Sequence, residues 1–197
     1  MPAPPDSASG DRRARFEAET LPLMPAVYRF ALRLTRRPEE ARDVVQDAYL
    51  RAFRTFDNFR PGTNAKAWLF KIVYSVFVNR WHKDRRESSV SIDELEAKFP
   101  RALAVEDPAA LRGPLSASPA EWAHPEVDAA LRRLPEAFRS ALLLVDVEEL
   151  SYEEAAAALG CPVGTLRSRL FRARKALYVA LREFAAQAGY GPAGPET

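Results

Sequence analysis

The sequence predicts an all-α protein in which two small helical domains are joined by a flexible acidic linker. Three observations predict this class. Apolar residues recur at helical spacing in two blocks, residues 16–86 and 127–188. Glycine occurs only 8 times in 197 residues, and helix-forming Ala, Leu, Arg and Glu are abundant. Between the blocks, residues 87–126 contain repeated prolines and many more acids than bases, which is typical of solvated linkers.

Net charge and cysteine content exclude several classes of function. The 29 Lys and Arg against 27 Asp and Glu leave a net charge of +2, so a uniformly basic nucleic-acid coat is excluded. The single cysteine excludes a disulfide framework and a cysteine zinc site. No apolar run is long enough to cross a membrane, and the N-terminus lacks the apolar core of a secretory signal. We therefore expect a cytoplasmic protein without membrane insertion. We also expect disordered tails at residues 1–15 and 189–197.

The first block is predicted to contain three helices. The first ends before Pro38, because proline disfavours helical geometry in the preceding residue. The second spans 39–56 and begins with two acids, which suit the positive end of a helix dipole. The third spans 64–83 and is unusually aromatic. A small three-helix domain must bury a stripe of side chains, so we expect most of four aromatic residues to be core: Trp68, Phe70, Tyr74 and Phe77.

The second block is predicted to end in a helix-turn-helix, preceded by helices at 127–133 and 136–147. Ser151 and Glu154 have capping-box spacing and open a short alanine-rich helix, which Gly160 ends. The next helix runs to about residue 185 and has no acid between Gly164 and Lys175. Such a helix can offer its early residues to the major groove of DNA. These residues are Arg167, Ser168, Arg169, Phe171, Arg172, Arg174 and Lys175. The alternative is an ordinary helical hairpin with a solvated basic face.

The end of the first block combines basic side chains with aromatic ones. Between residues 60 and 86 the only acid is Asp84, which favours binding of single-stranded nucleic acid. The turn at residues 59–63, with Asn64, is the candidate for holding an extruded base. The helix at 39–56 carries polar residues around its apolar stripe, and its residues alone indicate only a solvated amphipathic face.

Taken together, these segments resemble the bacterial sigma factors of the sigma-70 superfamily, of the compact extracytoplasmic-function (ECF) type. Residues 38–53 resemble region 2.2, residues 59–80 resemble regions 2.3 and 2.4, and residues 152–177 resemble region 4.2. The resemblance implies a factor that binds core RNA polymerase, directs it to promoters and helps to open the DNA. It implies no catalytic site and no cofactor. Arg42 departs from the family pattern, in which many relatives carry an acid.

The resemblance also implies three sets of contacts. Core polymerase, through its clamp, would be bound by Asp43, Gln46, Asp47, Leu50, Arg51 and Arg54. The single strand of the −10 element and its flanking phosphates would be bound by Phe59, Asn64, Lys66, Ser75, Asn79, Lys83, Arg85 and Arg86. The −35 element would be bound by Arg167, Ser168, Arg169, Phe171, Arg172 and Lys175. The polymerase flap is the second expected contact on the core enzyme.

Residues 62–68 also resemble the oxidative-stress branch of the family, whose members are held by zinc-containing thiol-switch anti-sigma factors. An anti-sigma partner is therefore expected. The linker either threads the polymerase channels as a nucleic-acid mimic or serves as a spacer. Two other functions stay open: a stand-alone regulator that binds duplex operator DNA without polymerase, and a nucleic-acid enzyme. The sequence lacks the carboxylate or His/Cys cluster that a metal-dependent enzyme of this kind would need.

Overall fold

The computed structural model describes residues 6–84 and 124–187 of the chain. They belong to two compact units, one formed by the helices up to Asp84 and one that contains most of the described chain from His124 onward. Most of the predicted linker lies outside the described residues, together with Arg85, Arg86 and residues 188–197. No helix in the described ranges combines the length and the apolar character needed to cross a membrane.

The N-terminal unit contains four α-helices and two single turns of 3-10 helix. In chain order these are α1 (Asp6–Thr20), the turn Leu21–Leu23, α2 (Met24–Thr35), α3 (Pro38–Arg54), the turn Phe56–Asn58 and α4 (Ala65–Asp84). Helices α2, α3 and α4 pack against one another in pairs. The buried side of α3 is formed by small residues and one valine, Ala41, Val44, Ala48 and Ala52, which let its neighbours approach closely. The three helices predicted from the sequence are confirmed.

Helix α1 corrects the prediction of a disordered tail, which is wrong from Asp6 onward. The Arg12 Nε donates to the Asp57 carboxylate over 2.8 Å, and its guanidinium lies 4.6 Å from the centre of the Phe53 ring. Phe16 is only 7% exposed and meets the Phe53 ring edge-on at 5.1 Å. These long-range contacts hold α1 on the rest of the unit, although its sequence has little helical patterning of its own.

The end of α1 is also tied to α3. The Tyr49 hydroxyl donates to the Thr20 carbonyl over 2.8 Å. Burial raises the pKa of Tyr49 to about 12, so the hydroxyl keeps its proton at neutral pH. Tyr49 thereby fixes the turn between α1 and α2 from the side of α3.

The junction of α2 and α3 lies where the sequence predicts a helix boundary. Helix α2 ends where Arg36 adopts a left-handed conformation, φ 64°, and its N–H donates to the Leu32 carbonyl over 2.8 Å. Pro38 occupies the first turn of α3, followed by Glu39 and Glu40. The predicted boundary at the proline is therefore confirmed.

The C-terminal unit consists of helices α5 (Pro125–Arg133), α6 (Glu136–Leu142), a π-helical segment (Leu143–Val147), α7 (Tyr152–Leu159) and α8 (Val163–Gln187). Helix α8 packs against α5 and α6. The sequence predicts one continuous helix over 136–147, whereas the structure widens its last turn. There the Glu148 N–H donates to the Leu143 carbonyl, five residues back, over 2.9 Å.

Helices α7 and α8 form the predicted helix-turn-helix. The capping box is complete: the Ser151 N–H donates to the Glu154 carboxylate over 2.9 Å, and the Glu154 N–H donates to the Ser151 hydroxyl over 3.2 Å. Gly160 ends α7 with φ 64°, which glycine adopts without strain. The side chains predicted to be packed are buried, namely Ala155, Ala156, Ala158, Leu159, Leu166 and Leu170. Val163 is half-buried.

Candidate polymerase and nucleic-acid interfaces

The outer face of α3 carries all six residues predicted to bind polymerase. None is buried, and Leu50 is 49% exposed despite its apolar side chain. We call this set the polymerase face: Asp43, Gln46, Asp47, Leu50, Arg51 and Arg54.

The acids of the polymerase face are paired within the chain. Arg80 of α4 donates from Nε to the Asp47 carboxylate over 3.0 Å, and from its terminal nitrogen to Asp43 over 3.4 Å. The hydrogen bonds and the charge of these acids raise the pKa of Arg80, against a smaller opposing effect of burial. All three side chains are more than 40% exposed, so these pairs add little stability and can exchange partners at low cost.

A second bond joins α3 to α4. The Arg51 guanidinium donates to the Ser75 hydroxyl over 3.2 Å. Arg51 belongs to the polymerase face, whereas Ser75 is one of the residues predicted to contact the −10 strand. The two predicted surfaces are therefore adjacent and share side-chain contacts.

The turn before α4 presents polar groups at the predicted −10 site. Gly62 has φ 82°, and the Thr63 N–H donates to the Arg60 carbonyl over 3.2 Å. Asn64 is exposed, and its side-chain oxygen accepts from the Ala67 N–H over 3.2 Å, so Asn64 caps α4. An exposed, capped helix start of this kind holds a short loop in one conformation.

Phe59 is placed differently from the prediction. Its ring is 6% exposed, stacks on Phe56 at 5.6 Å and lies 5.1 Å from Trp68. In this conformation the ring belongs to the core and offers no face to an extruded base, so the predicted direct contact is not available. Phe59 instead stabilises the turn on which Asn64 lies, because its ring packs against Phe56 and Trp68.

The other predicted −10 residues lie along α4. Asn79 is exposed, whereas Lys66 and Ser75 are half-buried, with the Lys66 ammonium 5.9 Å from the Phe70 ring centre. Lys83 lies in the last turn of α4, but its side chain is outside the described residues. The buried residues of α4 confirm that its aromatics are mainly core: Phe70, Tyr74 and Phe77 are buried, and Trp68 is half-buried.

Helix α8 presents the predicted −35 residues on the side away from its leucines. Arg167, Ser168 and Phe171 are exposed, and Phe171 keeps 38% of its surface open to solvent. Arg169, Arg172 and Lys175 are half-buried. The Arg167 guanidinium lies 5.8 Å from the centre of the Tyr152 ring of α7. We call this set the −35 face: Arg167, Ser168, Arg169, Phe171, Arg172 and Lys175.

Arg174 is the exception among the bases of α8. Its side chain is 2% exposed and forms a two-pronged ion pair with Asp146, at 2.9 and 2.6 Å. Burial by itself lowers the pKa of Arg174, but the hydrogen bonds and charges of Asp146 and Tyr152 together outweigh this effect, so that the pKa is raised. The prediction that Arg174 faces DNA is wrong. The helical spacing already indicates this, since Arg174 follows Leu170 by four residues and so lies on the buried stripe.

Comparisons with known proteins match both units. The family model described as "Sigma-70 region 2" matches residues 22–87, and "Sigma-70, region 4" matches residues 124–177. The chain is 36% identical over 162 residues to the ECF RNA polymerase sigma factor EcfG of Rhodopseudomonas palustris, and the match covers 81% of each protein. It is 35% identical over 180 residues to the RNA polymerase sigma-H factor of Pseudomonas aeruginosa, covering 88% of this chain and 89% of that protein.

A solved structure has the same fold. The sigma factor RpoE, crystallised in complex with the anti-sigma factor NepR from Bartonella quintana, matches with a TM-score of 0.63 and 32% sequence identity. The match covers 85% of this chain and 97% of that chain. Two sigma-70 regions in their usual order, together with relatives matched over most of their length, show that this chain belongs to the sigma-70 family and is an ECF sigma factor.

Proposed function

We propose that this ECF sigma factor divides its work among three surfaces: the polymerase face of α3, the start and outer side of α4, and the −35 face of α8. The chain is an RNA polymerase initiation factor that directs the enzyme to specific promoters. One observation supports this assignment best. In α3 and α8 the apolar residues are buried on one side, and every residue of the polymerase face and of the −35 face reaches solvent. A stand-alone operator-binding regulator is not favoured, because the N-terminal unit is a sigma region 2.

The −10 contacts are proposed for Asn64, Lys66, Ser75 and Asn79. Asn64 and Asn79 are exposed amides that can pair with the edges of unstacked bases, and Lys66 supplies a charge for phosphate. We further propose Lys83, Arg85 and Arg86 for flanking phosphates, from the sequence alone. DNA opening is favoured on this surface because contacts made only by unpaired bases stabilise the separated strand.

The −35 contacts are proposed for the early part of α8. Arginine can bind guanine edges with two parallel hydrogen bonds, and Lys175 and Arg169 suit phosphate. Phe171 is exposed beside these arginine and lysine side chains, and its ring can contact the methyl group of thymine. Each DNA contact is weak alone, but polymerase joins both units on one promoter, so that the second contact forms at high effective concentration.

The polymerase face is tested by two substitutions that break the same ion pair. Asp47→Asn removes the charge expected to meet a basic partner, and we expect affinity for core polymerase to fall about 10- to 100-fold, the range for a hydrogen bond to a charged group. Arg80→Ala is the matched control. It removes the intramolecular partner but keeps the Asp47 carboxylate, so core affinity is expected to stay equal or to rise. The measurement is fluorescence anisotropy of the labelled chain titrated with bacterial core polymerase.

Equal losses in both variants would contradict this assignment. They would mean that Asp47 matters only because it holds Arg80 in place. Thermal unfolding of both variants serves as a check, since loss of an exposed pair should cost each of them no more than about 1 kcal/mol.

Two further parts of the proposal concern regulation and location. We propose an anti-sigma factor as a regulatory partner, supported by the structural similarity to RpoE, which was crystallised with one. A zinc thiol switch in that partner stays a prediction. We place the chain in the cytoplasm, where bacterial polymerase works, and on the nucleoid when it is part of the holoenzyme. Sigma factors are not an enzyme family, and we assign the chemistry of transcription entirely to polymerase.

A further inference from the structure

A chain of contacts connects the buried core of the C-terminal unit to the −35 face. It begins at Asp146, whose carboxylate holds Arg174 in a two-pronged pair with both side chains 2% exposed or less. A hydrogen bond with the side chain of Tyr152, the first residue of α7, is among the causes that raise the pKa of Arg174. The Tyr152 ring in turn lies under the Arg167 guanidinium, with 5.8 Å between the ring centre and the guanidinium carbon. Three successive interactions therefore link the buried Asp146 carboxylate to the exposed Arg167 side chain.

The two ends of this chain differ in mobility. Arg174 and Asp146 are enclosed by protein, and their paired geometry leaves neither side chain another rotamer without breaking an ion pair. Arg167 is exposed, and its long side chain would otherwise sample many rotamers in water. Tyr152 is half-buried, and its ring lies beside the Arg167 guanidinium. An aromatic face beside an exposed guanidinium attracts it and narrows the directions in which it points.

We propose that Tyr152 is a positioning residue for promoter recognition: its ring orients Arg167 toward the −35 element. The inference rests on the proposed function, because it takes Arg167 as a reader of a −35 base. An arginine that is already oriented loses less conformational entropy when it binds a base, and so discriminates better between bases. Arg172 lies instead beside Phe138, with its guanidinium carbon 6.0 Å from the ring centre.

The test uses holoenzyme assembled from the full chain and bacterial core polymerase. Run-off transcription is measured on promoters in which each −35 base pair is varied in turn. Four variants are compared: Tyr152→Leu, Tyr152→Phe, Arg167→Ala and the double variant Tyr152→Leu with Arg167→Ala. Tyr152→Phe and Tyr152→Leu both lack the hydroxyl, so the difference between them isolates the aromatic face.

Arg167→Ala should abolish the preference at one −35 base pair. Tyr152→Leu should reduce the preference at that same pair about two- to fivefold, the range expected for a cation–aromatic contact, and leave the other −35 positions unchanged. Tyr152→Phe should retain most of the preference. The double variant should match Arg167→Ala alone, because Tyr152 acts through Arg167.

Two results would overturn the inference, and they are distinguishable. If Arg167→Ala removes a base preference but Tyr152→Leu weakens all −35 positions equally, or adds to Arg167→Ala in the double variant, Tyr152 has only a structural role. If Arg167→Ala changes no base preference, Arg167 is not a reader, and the proposed function fails at that residue together with the inference. Tyr152→Met, which also removes the aromatic face, replaces Tyr152→Leu in every comparison if Tyr152→Leu unfolds the unit.

Discussion

Arg174→Ala is expected to destabilise the C-terminal unit by about 3–5 kcal/mol, because it leaves the Asp146 carboxylate buried without its ion-pair partner. Water cannot compensate for the loss, since the Asp146 side chain is 0% exposed. Hydrogen–deuterium exchange measures the effect unit by unit. Protection of amides in α5, α6 and α8 should fall by roughly two to three orders of magnitude, while amides in α2 to α4 keep their protection.

The matched control replaces both partners by apolar residues of similar size, Arg174→Met with Asp146→Leu. Such double replacements of buried ion pairs are often neutral or stabilising, so protection should return close to that of the unaltered chain. If Arg174→Ala left the exchange of α8 unchanged, the pair would not be buried as the structure has it. In that case Arg174 would return to the set of bases that face DNA.

Phe16→Ala is expected to destabilise the N-terminal unit by about 3 kcal/mol or more. Its ring is buried and meets Phe53 and Phe56 edge-on, at 5.1 and 5.3 Å. Substituting alanine removes these contacts and leaves a cavity, which costs about 3–5 kcal/mol at well-enclosed sites. Phe53 is 36% exposed, so the site can partly collapse, and the lower part of this range is expected.

The exposed Glu19 on the same helix provides the control for Phe16. Glu19→Ala keeps α1 and its packing, so amide protection in α3 and α4 should not change. Phe16→Ala should lower that protection by about two orders of magnitude. Equal protection in the two variants would show that α1 does not pack on the unit, and would restore the prediction of a disordered tail.

The helix-turn-helix was the part of the fold best predicted from the sequence. Its signals are local: Ser151 and Glu154 bond to each other's backbone within one turn, and Gly160 supplies a conformation that other residues rarely adopt. The same holds for Pro38, whose effect on the preceding residue needs no tertiary contact. Local chemistry of this kind can be derived from spacing alone.

Some residues lie where the sequence does not predict them, because their positions depend on contacts with other parts of the chain. Helix α1 is held by Arg12 at Asp57 and by Phe16 among aromatics more than thirty residues away, and nothing within residues 6–20 indicates these partners. Arg174 lies within a basic run, but its partner Asp146 lies 28 residues earlier. Phe59 begins the surface turn that is predicted to hold an extruded base, although its spacing of three from Phe56 already allows the two rings to stack.

The sequence predicts which helix faces are exposed more reliably than it predicts the position of single residues within them. Apart from Phe59, all the proposed contact residues whose side chains the structure describes are at least partly exposed. A periodic pattern indicates which side of a helix is buried, so it separates α3 and α8 correctly into core and surface. It does not reveal which surface side chains pair with one another, such as Arg51 with Ser75 or Arg80 with Asp47.

The most direct test of the central claim is run-off transcription with purified chain and bacterial core polymerase on a library of upstream DNA sequences. We expect specific transcripts only when both proteins are present, with start sites that share two conserved upstream elements. The selected −10 and −35 sequences would follow directly from those transcripts. The account would be contradicted if no transcript depended on the chain, while the chain alone bound duplex DNA tightly and with sequence preference.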